Sequence, residues 1–210
     1  MMENRNKIIL TTLVCLIPTM TGLILWNQLP AQMPIHFTFA GEIDGWGSKV
    51  FVVIGLPLML SAMHLFLVFL TSNDPKKQNI GNRMISLTYW SIPMICCMFL
   101  GLIFAISLGF STLDPVMWIN VLIGVFFIVM GNYMTKNHQN YTVGIRLPWT
   151  LESRENWNRT HRLASRLWIL SGLILLINGM IRSQWMMLPV IVISTVIPMV
   201  YSFILYRKGI

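Results

Sequence analysis

The side chains best suited to chemistry gather in one stretch of the chain. Between residues 131 and 162 stand Asn132, Tyr133, Lys136, His138, Asn140, Arg146, Glu152, Glu155, Thr160, His161 and Arg162. A guanidinium held on a shaped loop can grip a phosphate or carboxylate through two parallel N–H bonds. Gly144 and Pro148 bend the backbone on either side of Arg146. Arg146 therefore has two readings. It binds a lipid phosphate or a helix C-terminus, or it organises a site together with Asn132, Asn140 and His161. His138, His161, Glu152 and Glu155 are donor types that metals use, but no pair has a ligand spacing, so no metal or cofactor is expected. Glu155 and Arg159 stand four residues apart, as a helix-surface ion pair does. The sequence has no P-loop, no H-E-x-x-H, no nucleophile elbow and no C-x-x-C, and no catalytic residue is assigned.

These residues must be positioned by elements that sit in a bilayer. The chain has 210 residues, of which 55% are hydrophobic and only 10% charged. That composition excludes a soluble globular enzyme, a disordered regulator and a disulfide-rich secreted domain. A spanning helix needs about 20 apolar residues. Six runs meet or approach that length: Ile8–Trp26, Val50–Leu70, Met84–Phe110, Val116–Met134, Leu167–Ile181 and Trp185–Tyr206. The third is long enough to tilt or to kink at Pro93. The first reads as a retained helix, not a signal peptide, because its apolar region is long and no A-x-A site follows. Cys15, Cys96 and Cys97 fall within spans and read as small hydrophobes. His64 is the single ionisable side chain in the hydrocarbon region, and Asn120 and Asn178 are expected to hydrogen-bond between helices. The lack of intramembrane acids argues against a proton-coupled transporter or pump, though not against a facilitator or flippase.

With the N-terminus cytoplasmic, 13 of the 15 basic residues fall on inner segments, and the net charge of +8 divides into +9 inside and −1 outside. This is the positive-inside pattern, so topology and contact with membrane lipid account for the basic pI, and direct nucleic-acid binding is not expected. The expected fold is an all-α polytopic membrane protein of six helices with both termini cytoplasmic. Two modules are expected, a two-span part over residues 1–80 with an outer loop at 29–49, and a four-span part over 81–210 with an inner loop at 135–166.

Two loops are informative. In the outer one, Ile35, Phe37 and Phe39 alternate with His36 and Thr38, a period of two that predicts extended chain. Asp44-Gly45 and Trp46-Gly47 supply turn chemistry. The loop is either an interfacial cap or a recognition surface built on His36, Phe37, Asp44 and Trp46. In the inner loop, Thr150 is expected to cap a helix starting at Leu151. At 100° per residue, Glu152, Glu155, Arg159, Arg162 and Arg166 form one stripe, with Trp157, Ala164 and Trp168 opposite. This predicts an amphipathic helix on the inner face running into the fifth span, with Thr160 and His161 flanking its apolar face.

The stretch Gly131-Asn132-Tyr133-Met134, Lys136, Asn140, Gly144-Ile145-Arg146, Pro148-Trp149-Thr150-Leu151, Trp157 and Thr160-His161-Arg162 resembles the signature of the SdpI family of bacterial membrane proteins. Pro34, His36, Phe37, Gly41, Asp44, Gly45, Trp46 and Lys49 are similar to that family's N-terminal module. The resemblance implies an immunity protein that protects against a secreted, membrane-active peptide toxin, and that signals by holding a small repressor at the membrane. The toxin would be met on the outer side and the repressor on the inner side. From another class stands a small lipid- or peptide-handling transporter or intramembrane enzyme, its polar centre formed by Asn132, Arg146 and His161. The discriminating observation is whether those three side chains converge on a cavity or lie on an exposed surface.

Overall fold

The computed structural model describes residues 2–110 and 113–210, with side chains from residue 5 onward. In chain order the elements are α1 (Met2–Ile24), β1 (Gln32–Phe37), β2 (Ile43–Ser48), α2 (Leu56–Ser72), α3 (Asn82–Ser107), α4 (Pro115–Met134), α5 (Pro148–Glu152), α6 (Arg154–Ile181) and α7 (Met187–Arg207). A π-helical turn at Phe51–Gly55 leads into α2. It sits just ahead of Pro57, which offers no N–H to an α-helical ladder, and a widened turn is one way to absorb that missing donor. Among the described residues, six helices are long and apolar enough to cross a membrane: Arg5–Ile24, Phe51–Ser72, Asn82–Ser107, Pro115–Met134, Arg154–Ile181 and Met187–Arg207. The protein is a multi-pass, all-α membrane protein with one short hairpin. The fifth span and the amphipathic segment before it form a single unbroken helix of 28 residues.

The chain packs as two units, Met1–Phe69 with Thr88–Trp118, and Leu70–Leu87 with Ile119–Ile210. In the first, Leu29, Met33, Val52, Val53, Cys96, Leu100, Ile103 and Phe104 form the core. Gly22 lets α1 approach the π turn, since a Cβ there would lie 2.6 Å from Val53 Cγ1. His64 is fully buried, and its Nε2 pairs with the Thr11 hydroxyl of α1 at 3.0 Å. This histidine thus joins two helices.

In the second unit α4 and α6 meet backbone to backbone. A Cβ on Gly124 would stand 2.9 Å from the Gly172 carbonyl oxygen. Ser165 donates its hydroxyl proton to the Gly131 carbonyl at 2.7 Å, and Phe127 stacks on Trp168 with centroids 4.7 Å apart. Asn178 donates to Asn120 Oδ1 at 3.0 Å, the expected interhelical bond. Small residues that let helices touch, with hydrogen bonds across the seam, are what hold helices together where lipid tails remove the hydrophobic drive.

Candidate functional site

The inner loop is a hydrogen-bonded platform organised around two buried side chains. The first is Asn140, fully buried. Its Oδ1 accepts from the backbone N–H of Thr142 at 3.0 Å and of Val143 at 2.7 Å, and its Nδ2 donates to the His138 carbonyl at 2.9 Å. An amide bonding its own backbone in this way replaces the missing regular structure. The connection between α2 and α3 braces the same residues. Asp74 accepts from the Tyr141 N–H at 2.9 Å and from the Thr142 hydroxyl at 2.6 Å. Asn79 donates to the Gln139 carbonyl at 2.7 Å, and Gln139 donates in turn to the carbonyls of Thr150 and Leu151.

The second buried centre is His161. Gly144 has φ +119°, and any Cβ on it would collide with His161 Nε2. With that space open, Nε2 accepts from the Ile145 N–H at 3.0 Å. Nδ1 donates to the Trp157 carbonyl at 2.8 Å. Since one nitrogen accepts and the other donates, the ring is held as the neutral Nδ1–H tautomer. Neither nitrogen is left for a metal or a substrate proton. Trp157, also fully buried, stacks on the imidazole at 3.9 Å, and its indole N–H donates to the Asn137 carbonyl at 3.0 Å.

The helix starts differ from the sequence expectation. Thr150 does not cap a helix beginning at Leu151. Pro148, pre-set for a first helical position, starts α5 three residues earlier, with Leu147 at its N-cap. Thr150 then falls inside that turn, where its hydroxyl accepts from the Leu147 N–H at 2.8 Å. The cap of α6 is Ser153, whose hydroxyl accepts from the Asn156 N–H at 3.1 Å. The predicted stripe holds on α6: Glu155, Arg159, Arg162 and Arg166 are exposed, and Trp157 and Ala164 are buried on the other side. Glu152 belongs to α5.

Trp149 ties the platform to α7. Its indole N–H donates to Ser202 Oγ at 2.8 Å, and its ring packs on Tyr206 and Phe203 at centroid distances of 5.6 and 5.4 Å. Asn156, which the sequence reading passed over, does the same from α6. It donates to the carbonyls of Ser202 at 3.0 Å and Ile210 at 3.1 Å, and accepts the Thr160 hydroxyl proton at 3.1 Å. Its signal was faint: at 100° per residue Asn156 falls on the flank of the helix, between the charged stripe and Thr160.

The remaining motif residues lie at the surface. Arg146 is exposed and donates to the Tyr141 carbonyl at 2.6 Å. Lys136 lies over the Tyr133 ring at 4.6 Å, and Asn132, Pro148 and Arg162 are exposed. Asn132, Arg146 and His161 therefore do not converge on one cavity. His161 is enclosed by its own loop, and the other two face outward.

The outer loop is an antiparallel hairpin with Met33 opposite Gly47, Pro34 opposite Trp46 and Phe37 opposite Ile43. Met33 points into the core and anchors it, while Trp46 is 56% exposed. His36 Nδ1 lies 2.6 Å from Asp44 Oδ1 across the strands, an exposed pair that contributes little to stability. Lys49 donates to the Trp26 carbonyl at 2.9 Å and fixes the hairpin's base to the end of α1. Phe37, Ile43, Ile106, Phe110, Leu113 and Pro115 line a shallow apolar dent of about 220 Å³ beside the turn.

Comparison with known proteins follows this division. Residues 136–202 match the SdpI/YfhL protein family, and residues 13–60 match a family described as a domain of unknown function (DUF1648). The chain is 27% identical over 213 aligned positions to the immunity protein SdpI of Bacillus subtilis (strain 168), covering 97% of each chain. No solved structure matches it.

Proposed function

We propose, from the match of residues 136–202 to the SdpI/YfhL family and the 27% identity to an immunity protein, that the chain is an SdpI-family immunity protein of the cell membrane, protecting against a secreted, membrane-active peptide toxin. The observation that carries this reading is the end-to-end similarity to an immunity protein, 97% of each chain. The reading has both termini in the cytoplasm, as the basic residues on the inner segments favour. On that reading the hairpin faces outward and the platform inward, because an odd number of spans, α2, α3 and α4, separates them along the chain. His36, Phe37, Asp44 and Trp46, with the neighbouring apolar dent, are the surface for the toxin. Arg146, Trp149 and the outward face of the platform are the surface for a cytoplasmic repressor.

The geometry supports docking over catalysis. The motif's buried members are spent on holding a rigid surface: Asn140 and Thr150 satisfy backbone groups, and both His161 nitrogens are engaged. A toxin shifts such a protein only by binding one of its states more tightly than another.

Expression in a peptide-sensitive bacterium tests the proposal. Survival against at least one membrane-active peptide is expected to rise severalfold, and Trp149→Ala or Arg146→Ala to reduce that gain at equal membrane abundance. Tolerance equal to the empty-vector strain across a panel of peptides would overturn it.

A further inference from the structure

Of the three exposed arginines of α6 that line one groove, one is neutralised and two are not. Arg159 donates to Glu155 at 2.6 Å. Among the described residues, neither Arg162 nor Arg166 forms an ion pair. Both line an open groove of about 520 Å³ between α6 and α7, with Asn158, Leu163 and Tyr201. Three guanidiniums against one carboxylate give this groove a strong preference for an anion, and planar guanidiniums match a phosphate through paired N–H bonds.

The surface below the groove changes character in register. Steps of three and four residues keep one face of a helix. From Arg166 those steps lead to Leu170, Leu173 and Ile177, which are 55%, 48% and 55% exposed. Along α7 the same steps lead back from Tyr201 to Ile197 and Ile193, at 43% and 48%. The two helices are joined by a connection of only five residues, so they run antiparallel and their apolar stripes lie below the same groove. A cationic cleft that continues into an uncovered apolar wall has the shape of an amphiphile.

We propose that this groove is a binding site for an anionic phospholipid. Arg162 and Arg166 hold the headgroup phosphate, Tyr201 closes the side of the cleft, and an acyl chain lies along Leu170, Leu173 and Ile177. The site rests on the membrane-spanning arrangement of α6 and α7, and it stands whether or not the protein confers immunity. A free phosphate ion shares the headgroup's chemistry but gains nothing from the apolar stripe.

The test uses the full-length protein reconstituted in vesicles of equal parts phosphatidylcholine and phosphatidylglycerol, extracted into detergent and weighed intact by native mass spectrometry. Phosphatidylglycerol is expected to stay bound in preference to phosphatidylcholine. The double variant Arg162→Gln, Arg166→Gln should lose it severalfold. Arg207→Gln with Lys208→Gln, which removes the same charge from the exposed end of α7, should keep it. Equal retention by the first pair, equal loss by the second, or no preference between the two lipids would overturn the site. Full displacement of the lipid by inorganic phosphate would assign the groove to a soluble phosphate ligand and also overturn the proposal.

Discussion

At Gly144 an absent side chain sets the spacing of the platform. Its φ of +119° is costly for any other residue, and the space a Cβ would take is held by His161 Nε2. Gly144→Ala is expected to lower stability by about 1–3 kcal/mol from backbone strain, with a further loss from breaking the Ile145–His161 bond. Gly209→Ala is the control for strain alone, since Gly209 also has positive φ, +79°, but open space around it. Thermal unfolding of both variants in detergent reads the difference, and equal losses would refute the steric link to His161. The sequence marked Gly144 as a bend and His161 as a residue with polar neighbours to reach. It did not show that they touch, because that contact depends on where α6 docks, 17 residues further on. Asp74 was invisible as a brace for the same reason. A loop carboxylate has many possible partners, and only the folded chain brings it to Tyr141 and Thr142.

Between elements, the seam of α4 and α6 is set by glycine. Gly124 and Gly131 stand seven residues apart on α4, and Gly124 meets Gly172 of α6 across a gap with no room for a side chain. Gly172→Leu is expected to push the two helices apart and destabilise the second unit by about 1–3 kcal/mol, the usual cost of overpacking. Gly101→Leu, at a position with nothing within 4 Å of a Cβ, should be nearly neutral. Unfolding midpoints that move equally for both would contradict a glycine-set seam. The helices themselves were legible in hydropathy, and the exposed arginine stripe of α6 in its 100° periodicity. The glycine seam was not, because a glycine in an apolar run says nothing until its partner helix is known. The cap at Thr150 was misplaced because Pro148 starts a turn ahead of it, and a local start signal overrode a good capping residue.

Across the whole molecule, the six apolar helices among the described residues make the chain a multi-pass membrane protein, and the basic residues cluster on alternate connections, the pattern of a chain with one basic face. Everything proposed for its function needs the Trp46 hairpin and the Arg146 platform to lie on opposite sides of the bilayer. Cysteine labelling in intact cells tests this most directly. In a background where Cys15, Cys96 and Cys97 are replaced by Ala, Trp46→Cys and Lys136→Cys are each exposed to a membrane-impermeant maleimide. The expected result is labelling of residue 46 in intact cells and of residue 136 only after the membrane is permeabilised. Labelling of both from outside, or of residue 136 alone, would contradict the two-sided arrangement.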